Sequence, residues 1–149
     1  MLFKRISRSD PERIFVVAMN SYSTASFTNG QVVEWDFTTD VNGVGLSRPG
    51  GMATNLGNAV AGVAAETIAF NSYGLIQVYG YHSAVRARAC TSGDAIALGS
   101  GIRPALAANK FCAESADLNG TLNYHCMGFA LSIWSSWTTT TIKAFIKAL

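Results

Sequence analysis

The chain has 149 residues, of which 49% are hydrophobic and 13% are charged, and its net charge is +2. This length suits one domain, and the charged fraction is about half of what a soluble protein usually carries. The longest uncharged stretches contain Asn, His, Gly or Thr, which excludes a spanning helix of roughly 20 apolar residues. The apolar run after Glu12 is too short for an export signal. We therefore expect the apolar surplus to face a protein partner and not a membrane.

The beginning of the chain is basic. Residues 1–13 contain four basic and two acidic residues, namely Lys4, Arg5, Arg8, Arg13, Asp10 and Glu12. We predict a basic N-terminal arm over residues 1–13 that contacts a neighbouring subunit, followed by a single β domain over 14–149. Nucleic-acid binding requires a denser basic patch with interleaved aromatic residues, so we expect no direct contact with nucleic acid.

The next segments read as strands. The run over 13–19 is rich in β-branched residues and predicts a buried strand, although Asp10-Pro11-Glu12 also suits a helix start. Asn29-Gly30 is a strong turn signal and predicts a hairpin, because the apolar residues after it alternate with mixed ones over 32–37. Residues 38–58 are rich in Gly, Asn and Thr and predict a long surface loop.

The remaining chain shows short strands separated by turn signals. The predicted strands cover 60–64, 67–70, 75–82, 84–89, 95–98, 127–134 and 139–146. Residues 102–112 read either as a short helix opened by Pro104 or as a loop. This spacing predicts an all-β fold, a small barrel or sandwich, with at most one short helix. No internal repeat is apparent in the sequence.

The predicted strand over 75–82 has no strongly charged face. Leu75, Gln77, Tyr79 and Tyr81 share one side, and Ile76, Val78 and Gly80 share the other. Such a strand must be covered on both sides, either by its own domain or by another subunit. The pattern therefore favours assembly.

Residues that carry catalysis or bind metals are sparse. The cysteines Cys90, Cys112 and Cys126 lack CxxC spacing, so they predict reduced, buried thiols. His125 is adjacent to Cys126, and neighbours in a strand point to opposite sides, so a metal site with His82 is not expected. A histidine base with a cysteine nucleophile is the best remaining catalytic arrangement.

Local signatures of enzymes are also missing. The sequence has no GxSxG, GxxxxGK or HExxH motif, and Arg48 stands where Gly43-Val44-Gly45 would need the third glycine of a dinucleotide-binding loop. Glu34 and Asp36 share a strand face, which favours a solvated surface over a cation site. We predict that the chain is not an enzyme and needs no cofactor.

Two tryptophans stand close together near the end of the chain. Trp134 is expected to lie in a strand and to face the interior of the domain, whereas Trp137 lies among Ser and Thr residues in a predicted turn. Aromatic side chains often dominate the energy of interfaces. Trp137 is therefore a candidate contact residue, although core packing is the alternative.

The segments DPERIFVVAMNSYSTASFTNGQVVEWD, VAGVAAETIAFNSYGLIQVYGYHSAV and IKAFIKAL together resemble the capsid decoration proteins, also called cement proteins, of tailed bacteriophages. The resemblance implies an all-β subunit, commonly trimeric, that binds the major capsid protein on the exterior of the virion after synthesis in the host cytoplasm. The basic arm and Trp137 would then be contacts to the capsid or to sister subunits. A tail or host-attachment component that binds a receptor or glycan is the alternative, and a small Cys/His hydrolase is a third.

Overall fold

The computed structural model describes residues 12–22, 25–37, 40, 43–49, 59–89, 95–104, 113–115, 126–136 and 138–148. Over 113–115 it describes the backbone alone. The predicted all-β fold is confirmed. The strands are β1 (Arg13–Asn20), β2 (Val32–Trp35), β3 (Gly45–Ser47), β4 (Val60–Ala64), β5 (Tyr73–Arg88), β6 (Gly101–Pro104), β7 (Ala113–Ser115), β8 (Gly128–Ala130) and β9 (Thr140–Lys147).

The long strand β5 organises the fold. Its first half pairs with β1 and β4, and its second half pairs with β7 and β9. The sheet therefore closes twice: the first ring has the order β1-β3-β2-β4-β5, and the second ring has the order β5-β7-β6-β8-β9. Both rings contain five strands, and they share β5.

The two rings are structural repeats. In each, the first and third strands in chain order pair in parallel, and all other pairs are antiparallel. The registers also match, since Val33 pairs with Gly62 in the first ring as Ile102 pairs with Gly128 in the second. The repeat depends on backbone pairing, which allows most side chains to differ, so the sequence does not display it.

Each ring also has an isolated bridge and a glycine turn in the same place. Phe27 bridges Ile68 in the first ring, and Ile96 bridges Trp134 in the second. The turn glycines have positive φ, 85° at Gly30 and 81° at Gly99, and both donate to the last residue of a strand, Ala64 or Ala130, at 2.8 Å. The Asn29-Gly30 turn therefore exists but does not make the predicted hairpin, because the residues before it bond to Ile68 and not to β2.

The side chains form two cores at matching positions. The first core contains Ala18, Phe27, Val33, Leu46, Ala61, Ala64, Ile68, Ile76 and Val78. The second contains Val32, Val63, Val85, Ala87, Ile96, Ile102, Met127, Ala130, Ile142, Ala144 and Ile146. Neighbouring residues of a strand point to opposite sides. The side chains of Val32 and Val63 therefore point out of the first ring and pack in the second core. The rings thus pack against each other through β2 and β4.

Several predicted boundaries differ from the structure. β3 lies inside the predicted loop over 38–58, and β7 was not predicted. The strands predicted over 75–82 and 84–89 are one strand with a bulge between His82 and Val85. The segments 67–70 and 95–98 contribute only single bridges. β6 lies where the short helix or loop was predicted to begin, and residues 105–112 are outside the described part of the chain.

Candidate interaction surfaces

An exposed apolar face lies on β1 and β5 of the first ring. Val17 pairs with Leu75 and Met19 with Tyr73, so these side chains share one side of the sheet. Val17 is 63% exposed and Leu75 is 41% exposed. A bulge between Ile14 and Phe15 interrupts the register. The first-ring face is defined here as Phe15, Val17, Met19, Tyr73 and Leu75.

The second ring provides an internal comparison for this face. The matching pair to Met19 and Tyr73 is Arg86 with Thr141. The position that matches Leu75 is Lys143, which is exposed. In the second ring this surface is therefore polar, as expected for a face in water, whereas the first ring places apolar side chains at the same backbone positions. This exposed apolar face is therefore a candidate contact surface.

A second apolar surface lies on β5, β8 and β9. The rings of Phe129 and Phe145 stack with centroids 5.1 Å apart, and Tyr79 meets Phe145 edge to face, also at 5.1 Å. Phe129 is 41% exposed, and the other two rings are partly exposed. Aromatic pairs at this separation are energetically favourable. We call Tyr79, Phe129 and Phe145 the aromatic face.

The sequence predicted other contact residues. Arg13 is exposed and is the first residue of β1, where it pairs with Gly80. Lys4, Arg5, Arg8 and Trp137 lie outside the described residues. Trp134 is partly buried against the second core, as expected, and its Nε1 donates to the Thr138 carbonyl at 3.2 Å.

The first-ring face is not evident from the sequence. The prediction of a buried strand over 13–19 is wrong, because Val17 and Phe15 are exposed. Both sides of β1 are apolar in sequence, so composition alone does not tell which side is covered. The equivalence of Leu75 and Lys143 indicates a surface position at Leu75, but this equivalence follows only from the structural repeat.

Two of the candidate catalytic groups, His82 and Cys126, lie within the described residues. His82 is buried, its Nδ1 accepts from the Ala84 amide at 3.1 Å, and burial together with the charge of Arg13 lowers its pKa below 6.5. Cys126 is an exposed free thiol, in contrast to the predicted burial. Cys90, Cys112 and His125 are outside the described residues.

The two carboxylates on β2 also differ from expectation. Glu34 is buried, so the predicted solvated strand face is wrong at this position. Asp36 accepts a hydrogen bond from the Ser21 hydroxyl at 3.0 Å. Within the described residues, no group of three or more His, Cys, Asp or Glu side chains is placed to hold a metal ion. In the same part of the chain, no helix has the length and apolar character needed to cross a membrane.

The fold has a counterpart among solved structures. The chain is similar to the head fiber gp8.5 N base of bacteriophage phi29, with a TM-score of 0.50 and 12% sequence identity. The similarity covers 92% of this chain and 96% of that chain. The chain matches no protein-family model and no curated protein sequence. At this level of identity the comparison shows a shared fold over nearly the whole length of both chains.

Proposed function

We propose that this chain is a structural virion protein of a tailed bacteriophage, and that it binds the outer surface of the assembled capsid and stabilises it. The observation that carries the proposal is the shared fold with the phi29 head fiber base over 92% of this chain. The resemblance of the sequence to capsid decoration proteins agrees with the same class. A fold alone does not define a function, so the proposal also depends on the surfaces of the molecule.

The surfaces suit a binding protein that performs no turnover. Two apolar faces are exposed, whereas His82 and Glu34 are buried within the fold. We therefore propose that the chain is not an enzyme. Many copies, each adding a modest contact area, would stabilise a shell because binding favours the assembled state by mass action, and an oligomer adds avidity.

The proposed partners are the major capsid protein and further copies of this chain, as a homotrimer. The proposed location is the capsid exterior, after synthesis in the host cytoplasm, without contact to membrane or nucleic acid. Lys4, Arg5 and Arg8 are the proposed contacts to the shell, because cationic side chains on a terminal arm suit an acidic protein surface. Arg13 would continue this contact at the start of β1.

Co-sedimentation with purified heads of the phage that encodes the chain tests the proposal. The full chain should pellet with heads, and deletion of residues 1–9 should abolish retention while the circular dichroism spectrum stays unchanged. Leu98→Glu is the matched control, since Leu98 is 67% exposed at a turn outside both apolar faces. Retention of the deleted chain at full occupancy would refute the arm contact. Binding to host cells but not to heads would instead support the attachment alternative.

A further inference from the structure

The two rings carry opposite charge. By sequence, residues 12–79 contain five carboxylates and two arginines, a net charge of −3. Residues 80–149 contain six basic and three acidic residues, a net charge of +3. Opposite charge on the two rings favours a head-to-tail orientation of two copies over a head-to-head orientation. Residues 1–11 lie outside these counts and add a net charge of +2.

The charges extend to the rims of the two apolar faces. Glu66 accepts from the Leu75 amide at 2.8 Å through Oε1, which places a carboxylate beside the first-ring face. On β9, Lys143 and Lys147 lie two residues either side of Phe145 and are exposed. They therefore share its side of the strand. Each face thus has an apolar centre, and Glu66 beside the first-ring face is opposite in charge to Lys143 and Lys147 beside the aromatic face. Arg13 at the start of β1 adds one positive charge near Phe15.

The first ring has a surface that is equivalent to the aromatic face of the second ring, and this equivalent surface is buried. Val63 pairs with Gln77 in the first ring as Phe129 pairs with Phe145 in the second. Val63 and Gln77 are 0% and 1% exposed, and Val63 packs into the second core. The second core therefore covers this surface at Val63 in the first ring, whereas the matching surface of the second ring is exposed and aromatic.

We infer that copies of this chain associate head to tail, with the first-ring face of one copy docking on the aromatic face of the next. The contact joins two different surfaces, so it repeats from copy to copy and closes into a ring when the rotation permits. The inference deepens the proposed homo-oligomer and rests on that part of the proposed function. The inference does not depend on binding to the capsid.

Two blocked variants test the contact by complementation. Val17→Glu with Leu75→Glu blocks the first-ring face, and Phe129→Glu with Lys143→Glu blocks the aromatic face. Light scattering after size-exclusion chromatography should give an oligomer for the full chain and for the Leu98→Glu control, and a monomer for each blocked variant. An equimolar mixture of the two variants should give a dimer, because each supplies the face that the other lacks.

Other outcomes overturn the inference. If the variant with the blocked aromatic face self-associates alone, first-ring faces contact each other. If the variant with the blocked first-ring face self-associates alone, aromatic faces contact each other. A monomeric full chain, or a mixture that stays monomeric, would exclude the contact. No capsid enters this experiment, so its failure is distinct from a failure to bind heads.

A charge reversal distinguishes loss of the contact from a folding defect in the blocked variants. Lys143→Glu with Lys147→Glu should dissociate the oligomer, and adding Glu66→Lys to the same chain should restore it. Association should also weaken as salt rises, because the screening length falls to about 3 Å at 1 M ionic strength. Loss of association that Glu66→Lys does not restore would contradict the pairing of the two rims.

Discussion

Gly62 and Gly128 occupy the same position in the two rings, and each lies directly against a backbone carbonyl of the neighbouring strand. Their φ angles are 144° and 157°. A Cβ at Gly62 would collide with the Gln77 carbonyl oxygen, and one at Gly128 with that of Phe145. The repeat is therefore built on a backbone contact that only glycine permits, which is why this residue is the same in both rings.

Gly62→Ala and Gly128→Ala should each destabilise the protein. Strained φ and the collision together should cost about 2–4 kcal/mol in the free energy of unfolding, measured by urea denaturation. Gly43→Ala is the matched control, since Gly43 has φ of 69° but no atom within 4 Å of the added Cβ. It should cost only about 1 kcal/mol. Equal effects at all three glycines would show that the close approach is unimportant.

Stability should depend on pH through His82. The pKa of this buried histidine lies below 6.5, so as pH falls below 6.5 the unfolded chain takes up a proton that the folded chain does not. The free energy of unfolding should then decrease by up to about 1.4 kcal/mol per pH unit until the folded pKa is reached. His82→Gln should remove this component, and His125→Gln serves as the control. An unchanged slope in His82→Gln would contradict the assignment.

Leu75→Lys should leave the fold intact. The position matches Lys143, which the second ring carries on its exposed face, and Leu75 is 41% exposed. The free energy of unfolding should therefore change by no more than about 0.5 kcal/mol. The same substitution should weaken self-association, measured by sedimentation velocity. A large loss of stability would mean that Leu75 belongs to a core and not to a contact face.

The two rings should unfold together. They share β5, and Val32 and Val63 of the first ring lie in the second core. Val63→Ala should cost roughly 1.5–3 kcal/mol and keep a single transition in calorimetry. Trp35 and Trp134 report on separate rings. Each can be followed alone in a variant that replaces the other one, Trp134→Phe or Trp35→Phe, with Trp137→Phe added to both variants. The fluorescence of the two variants should change at the same urea concentration. Two separated transitions would show that the rings fold independently.

Local patterns predicted the strands that have one solvent-exposed side and one buried side. Ile142, Ala144 and Ile146 are buried while Lys143 and Lys147 are exposed, and this alternation is visible in the sequence because charge marks the solvent side. The turn at Asn71, with φ of 57°, also follows from residue type, because Asn tolerates this conformation. Such features depend on neighbours within a few residues and require no knowledge of the fold.

By itself, the sequence determined the all-β class, the closing strand and the apolar surplus of the composition. Only the tertiary structure decided that β5 serves two rings, that Glu34 and His82 are buried, and that Val17 and Leu75 are exposed. Burial depends on which distant segments pair with a strand, and β1 and β5 carry apolar groups on both sides. No local pattern therefore indicates which side of these strands is buried and which side is exposed.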